Sequence, residues 1–296
     1  MEAELFQCQV HDPEHRPPFY QWYYAYGTRI GEALDSIRAA VKSNGLVRPI
    51  LCEADPIDIS EVDGDVAPSV EANVFWSVTK YSYSPEPGEH FEMPLGVILS
   101  DSRDRPDDDP DPDDIRAGYA RFENEGIYSL EVNVSNESLY EHYAALLRLY
   151  EPFRVFWFLV HDHWENEGAE ADEFFTNEEL NTADEILAYI SRAPVDSLQN
   201  GFVTLTAYAS EDQVNVNISD HKKLVVLSTS DSRTSKAAKV LDSLGYEQLS
   251  PFVSVDARVH HWHYRPANSR TREQLINRLS EDGFSSWTPD SRKASR

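Results

Sequence analysis

Along the chain, hydrophobic positions switch repeatedly between a period of two and a period of about 3.6 residues, which is the mark of strands mixed with helices. Residues 5–10 (LFQCQV) alternate as a strand does. After a polar, proline-containing loop, residues 19–26 (FYQWYYAY) read as a strand or a buried aromatic segment. Ile30, Leu34, Ile37 and Val41 then recur at helical spacing behind Thr28, a suitable N-cap, and Asn44-Gly45 ends that helix before the strand-like VRPILCEA. Residues 73–84 and 95–100 are predicted to form a hairpin around the turn PEPGEH.

The pattern continues with an alternating stretch at 127–134. A helix follows, carrying Leu139, Tyr143, Leu146, Leu147 and Tyr150 on one stripe and ending at Pro152. VFWFLV (155–160) is apolar on both faces, as a central strand is. A helix at 182–191 precedes Pro194. Strands at 202–209, 214–218 and 224–228, a helix at 235–244, a long strand at 252–264 and a last helix at 272–279 complete the reading. These elements predict an α+β fold of two modules with mixed or antiparallel sheets packed by helices. The expected domains are an acidic one over 1–195 and a smaller, near-neutral ββ(β)αβα one over 196–296. Segments 150–166 and 246–266 both run from Tyr-Glu to a strand rich in His and Trp, an echo that suggests a degenerate duplication.

Composition narrows the class. At 296 residues, 41% hydrophobic and 11% aromatic, the chain has the apolar content for a packed core, which excludes wholesale disorder. No apolar run approaches the ~18 residues that suggest a membrane span. The opening MEAELFQCQVHD lacks the pattern of a signal peptide, and Cys8 and Cys52 supply neither a disulfide framework nor a four-ligand zinc site. A cytoplasmic protein is the expectation.

Charge changes the picture further. The formal net charge is -26, yet residues 201–296 hold 13 basic and 11 acidic residues, so the excess lies wholly within residues 1–200. Two blocks stand out: the Asp-Pro tract at 101–114, read as a solvated loop, and residues 161–185, which carry ten acids and no Lys or Arg. Such a field repels nucleic acid and anionic membranes and speeds the approach of cationic partners. The basic, aromatic run HHWHYRPANSRTR (260–272) suits a phosphate backbone locally, but the overall field opposes it, so no nucleic-acid or membrane partner is expected. Adaptation to a saline habitat is the competing source of acidity, and 7 Lys against 19 Arg fit it.

The sharpest chemical candidates are two His-x-His sequences, His161-Asp162-His163 and His261-Trp262-His263. Residues i and i+2 of a strand share a face, so each pair presents two imidazoles to one divalent transition metal, and adjacent strands would complete a four-His site. The competing reading is a packed aromatic at a strand end. Nucleophilic catalysis lacks a G-x-S-x-G elbow, and nucleotide binding lacks G-x-G-x-x-G or a P-loop. The catalytic residues are therefore unassigned, and the reading leans away from an enzyme and requires no cofactor.

The acidic blocks are the candidates for partner binding. Asp107, Asp108 and Asp109 form one group. Trp164, Glu165, Glu167, Glu170, Asp172, Glu173, Phe174 and Phe175 form the other, with aromatic anchors among charges that steer. This acidic field, modest α+β modules and absent catalytic motif are similar in kind to bacterial immunity and antitoxin proteins, a likeness of class carried by no motif. It implies a non-enzymatic inhibitor that neutralises a basic protein, such as a toxin. The alternative is a metal-dependent hydrolase or oxygenase built on the two His-x-His pairs.

Overall fold

Alternation in the first residues becomes two long antiparallel strands, β1 (Glu4–Asp12) and β2 (Phe19–Gly27), in unbroken register from Glu4 opposite Gly27 to Asp12 opposite Phe19. They belong to a computed structural model that describes residues 2–62, 64–83, 91–100, 114–165, 171–256 and 260–287. The chain divides into two compact units. One comprises Met1–Met93, Val97–Arg116 and Val253–Ala267; the other comprises Pro94–Gly96, Ala117–Phe252 and Asn268–Arg296.

The first unit is a mixed sheet packed against a helix. Helix α1 (Ile30–Ser43) buries Ile30, Leu34, Ile37 and Val41, the stripe read from the sequence, against Phe6, Cys8, Val10 and Tyr23 of the sheet. Thr28 does not cap it from the N-cap position, which Arg29 occupies. Instead the Thr28 backbone N–H and hydroxyl both donate to Glu32 in the first turn, at 3.0 and 2.8 Å. Strands β3 (Ile50–Ile57), β4 (Val66–Pro68), β5 (Val74–Ser77), β6 (Tyr81–Ser82) and β7 (Val97–Leu99) follow in the chain. With β15 (His261–His263) they give the order β15-β7-β3-β1-β2-β5-β4, and β6 also pairs with β2.

Two expectations are corrected here. The hairpin across residues 73–100 does not form, because β2 and β4 occupy the two edges of β5, whereas β7 runs parallel to β3. Of the long strand expected at 252–264, the described residues form a strand at His261–His263, paired with the three-residue β7, and residues 252–256 form none, while residues 257–259 lie outside the described residues. Buried Asp12 accepts the backbone N–H groups of Val47 and Arg48 at 2.8 and 3.0 Å, tying the end of β1 to the segment entering β3.

The second unit is an eight-stranded antiparallel sheet with helices on one face. Its strands are β8 (Gly118–Asn124), β9 (Ile127–Asn133), β10 (Val155–Val160), β11 (Glu173–Asn177), β12 (Val203–Ala209), β13 (Val214–Ile218), β14 (Leu224–Ser228) and β16 (Ser285–Trp287), in the order β16-β11-β10-β12-β13-β14-β9-β8. Helices α2 (Leu139–Tyr150), α3 (Ala183–Ser191), α4 (Asp231–Ser243) and α5 (Arg272–Glu281) bury their apolar stripes in one core. That core takes Phe156, Phe158 and Val160 from β10, Leu205 and Ala207 from β12, and Val214, Val216 and Ile218 from β13. Thr182 with Glu185 and Thr271 with Gln274 close reciprocal capping boxes at α3 and α5.

The α+β class read from the sequence is therefore present. The domain division is not where the charge suggested: Val155–Val160 and Val203–Ala209, on either side of residue 195, pair edge to edge in one sheet. Charge composition reports surface preference, while strand pairing decides which segments fold together. The suggested duplication also parts company, because its first segment becomes central strand β10 and its second ends in edge strand β15 of the other sheet. Strand β11 lies inside the acidic block, where no strand was expected, its Phe175 in the core and its one carboxylate, Glu173, half-buried.

Candidate metal site in the second unit

His161 and His163 lie just past the end of β10, and the period-two alternation of that strand sets them on the face away from the helices. The rings are 5.0 Å apart between centroids. The neighbouring hairpin supplies the third member. Ile218 pairs with Leu224 at the end of β13 and β14, and Ser219 N donates to Lys223 O at 3.0 Å, leaving Asp220, His221 and Lys222 as a three-residue turn. Lys222 takes the left-handed conformation, with φ 59°, which this turn geometry requires of its last residue.

Asp220 is thereby placed among three imidazoles. One carboxylate oxygen, Oδ2, stands 4.0 Å from Nε2 of His161 and 4.0 Å from Nε2 of His163, while Oδ1 lies 3.0 Å from Nδ1 of His221. The outer nitrogens of the first two rings also face carboxylates. Asp172 is 3.6 Å from Nδ1 of His161, and Asp162 is 3.7 Å from Nδ1 of His163. A carboxylate beside Nδ1 favours the tautomer that keeps the proton there and turns the Nε2 lone pair inward. Thr204 Oγ1, on β12, sits 3.0 Å from that inward Nε2 of His161. Burial lowers the His161 pKa below the ordinary imidazole value, against the opposing pull of Asp220 and Asp172, so the neutral, ligating form is favoured.

Lys222 fastens the turn. Its side chain is buried, and Nζ donates to Val203 O at 3.1 Å and Ser197 O at 3.4 Å, pinning the hairpin to the start of β12. Two histidines and one carboxylate converging from strand ends are a ligand set for a divalent transition metal. Metal–ligand bonds of about 2.0–2.2 Å need ligand atoms roughly 3.3 Å apart, so both 4.0 Å separations from Asp220 are wider than a bound ion requires, and among the described residues His161 joins no group of three ligand atoms within 4.8 Å of one another.

The other His-x-His pair belongs to the first unit. On β15 the Nε2 atoms of His261 and His263 lie 3.2 Å apart, and Trp262 between them points to the opposite face, its indole N–H donating to Asp55 at 3.1 Å. Each pair thus shares a face, as i and i+2 spacing requires.

The residues read as a partner-binding face are dispersed by the fold. Trp164 is fully buried in the core and Phe175 is 2% exposed, so neither offers an open anchor. Glu173 is ion-paired with Arg272 at 2.6 Å, and Asp172 accepts the Asp162 N–H at 2.9 Å. Phe174 lies on the face away from the helices, its ring 5.7 Å from that of Trp287. Glu165 is partly exposed in a left-handed backbone conformation. Asp107, Asp108, Asp109, Glu167 and Glu170 lie outside the described residues.

Asp220 and His221 went unread in the sequence, although Ser-Asp-His-Lys-Lys between two short strands is a visible turn signal. Only strand order shows that this turn and the end of β10 meet at one end of the sheet. Burial drives the Cys8 thiol pKa far up, which suits the small buried hydrophobe expected of it rather than a nucleophile. Among the described residues no helix is long and apolar enough to cross a membrane. No family model matches the chain, and comparison with curated proteins and with solved structures finds no match.

Proposed function

We propose that the second unit holds a divalent transition metal on His161, His163 and Asp220, and that the chain is a metal-dependent enzyme of the hydrolase or oxygenase kind. The observation that supports this reading is the position of Asp220 Oδ2, 4.0 Å from both inward-facing Nε2 atoms while their outer nitrogens face Asp172 and Asp162. A bound ion supplies Lewis acidity and activates a coordinated water. His161 and His163 would present their Nε2 nitrogens, Asp220 would contribute the negative charge, and Lys222 holds the turn in place.

Elemental analysis of protein purified without an affinity tag tests the reading. Close to one equivalent of zinc, iron or manganese is expected, falling to background in His163→Ala and Asp220→Asn. Sub-stoichiometric metal that neither substitution changes overturns it. The same measurement on His261→Ala and His263→Ala shows whether the first unit's pair binds an ion of its own.

A second reading keeps the support of the charge excess, which lies entirely within residues 1–200: neutralisation of a basic protein partner, of the immunity type. Its contact face would need to be drawn from Glu165, Phe174 and acidic residues outside the described set, since Trp164 and Phe175 are core. Co-purification from the native cell at low salt tests it. A captured basic protein whose association rate falls steeply with added salt is expected, and a rate insensitive to salt removes the reading.

A further inference from the structure

The face of the eight-stranded sheet away from its helices carries a groove of about 880 Å³, lined by Trp157, Phe174, Tyr208 and Trp287 together with Arg154 and Asn215. The register explains why four rings gather there. Phe174 is opposite Trp287 across β11 and β16, Leu159 of β10 is opposite Phe174, and Val155 of β10 is opposite Tyr208 of β12. The rings therefore cross four neighbouring strands on a diagonal, from the level of Leu159 through Trp157 to the level of Val155, spanning roughly 14 Å across the strands and roughly 13 Å along them. Tyr208 is in turn opposite Asn215, which continues the row with an amide.

The groove is not simply apolar. Thr176, Ser210, Asn215, Arg154 and Glu178 line it with donors and acceptors on the same wall as the rings. Asn215 Oδ1 is buried and has no hydrogen-bond partner among the described residues. A purely aliphatic ligand would leave all these groups unmatched. A net charge of -26 disfavours polyanions such as nucleic acid. The ligand that meets both demands is one with apolar C–H faces, which stack on the electron-rich faces of aromatic rings, and a rim of hydroxyls that both donate and accept. The groove volume lies within the range of about 300–1,000 Å³ typical of small-ligand sites.

From this we infer that the groove binds a neutral oligosaccharide, stacked on Trp157, Tyr208 and Trp287 and hydrogen-bonded by Asn215 and Arg154. The inference is independent of the metal reading, because stacking and hydrogen bonding need no ion.

The test is calorimetric titration of the full-length protein in the presence of a chelator, with cellotriose, maltotriose, xylotriose and N-acetylchitotriose as probes. At least one is expected to bind with a dissociation constant of about 1 mM or tighter. Trp287→Ala, at a surface-exposed edge strand, should weaken binding at least tenfold, and Trp157→Ala should do the same if it stays folded by circular dichroism. Absence of heat with all four probes, or binding that Trp287→Ala and Asn215→Ala leave unchanged, overturns the inference. Binding of a proline-rich peptide with no saccharide response would assign the aromatic row to a protein partner and also overturn it.

Discussion

Asp172 faces His161 across 3.6 Å, its Oδ1 opposite the imidazole Nδ1, although the two residues stand 11 positions apart in the chain. The same oxygen accepts the Asp162 backbone N–H at 2.9 Å, so the carboxylate is held in place while it orients the ring. Removing the charge in Asp172→Asn should lower metal affinity by about 10–100-fold, the usual effect of losing an outer-shell carboxylate. Competition with a chromophoric chelator measures this. Unchanged affinity would leave Asp172 as the acceptor of the Asp162 N–H alone.

Lys222 makes stability depend on pH in a definite direction. Burial pulls its ammonium pKa down to about 7, with Asp220 pulling the other way, while in the unfolded chain a lysine titrates near about 10.4. Between those values the unfolded chain carries a proton that the native state lacks. Unfolding there takes up a proton, so stability rises with pH from about 7 towards 10, at up to about 1.4 kcal/mol per unit, and the penalty is fully present below 7. Lys222→Met should remove that slope. Urea midpoints of both proteins at several pH values between 7 and 9.5 test it, and parallel curves would contradict the assignment.

Gly31 allows the first turn of α1 to touch the backbone at residue 265. A Cβ placed there would lie 2.0 Å from Arg265 O, a backbone atom with no side-chain freedom to move aside. Gly31→Ala should therefore destabilise the first unit by about 2 kcal/mol or more, within the range for overpacking a tight contact, despite the better helix propensity of alanine. Denaturant unfolding followed by far-ultraviolet circular dichroism reads this directly.

Trp164 separates a core role from a binding role. It has no exposed surface, and its ring is 5.3 Å from that of Phe202. Trp164→Ala should cost about 3–5 kcal/mol of stability, as large-to-small changes at a fully buried aromatic do. A variant as stable as the parent, weakened only in binding a partner, would return Trp164 to the surface role that its acidic neighbours suggest.

Much of the fold was legible because its causes are local. The 3.6-residue stripe of α1 and the five apolar positions of α2 needed no partner to be read, and neither did the alternation of β9 or the two-faced apolar run of β10. The acidic block hid β11 because its five residues, Glu-Phe-Phe-Thr-Asn, set two phenylalanines side by side and show no period-two alternation, so composition outweighed period. At the candidate site, His161 and His163 were legible by spacing alone. Asp220 was not, being 57 residues further along the chain and brought near by β12 lying between β10 and β13.

By itself the sequence determined the α+β class, the faces of the helices, the shared face of each His-x-His pair and the excess of negative charge, all properties of residues within a few positions of one another. Only the tertiary structure decided which strands pair, where the chain divides, that Trp164 and Phe175 face inward, and that a turn carboxylate meets two histidines. Those outcomes depend on register between distant segments, and a one-residue shift in register exchanges the two faces of a strand without changing its composition.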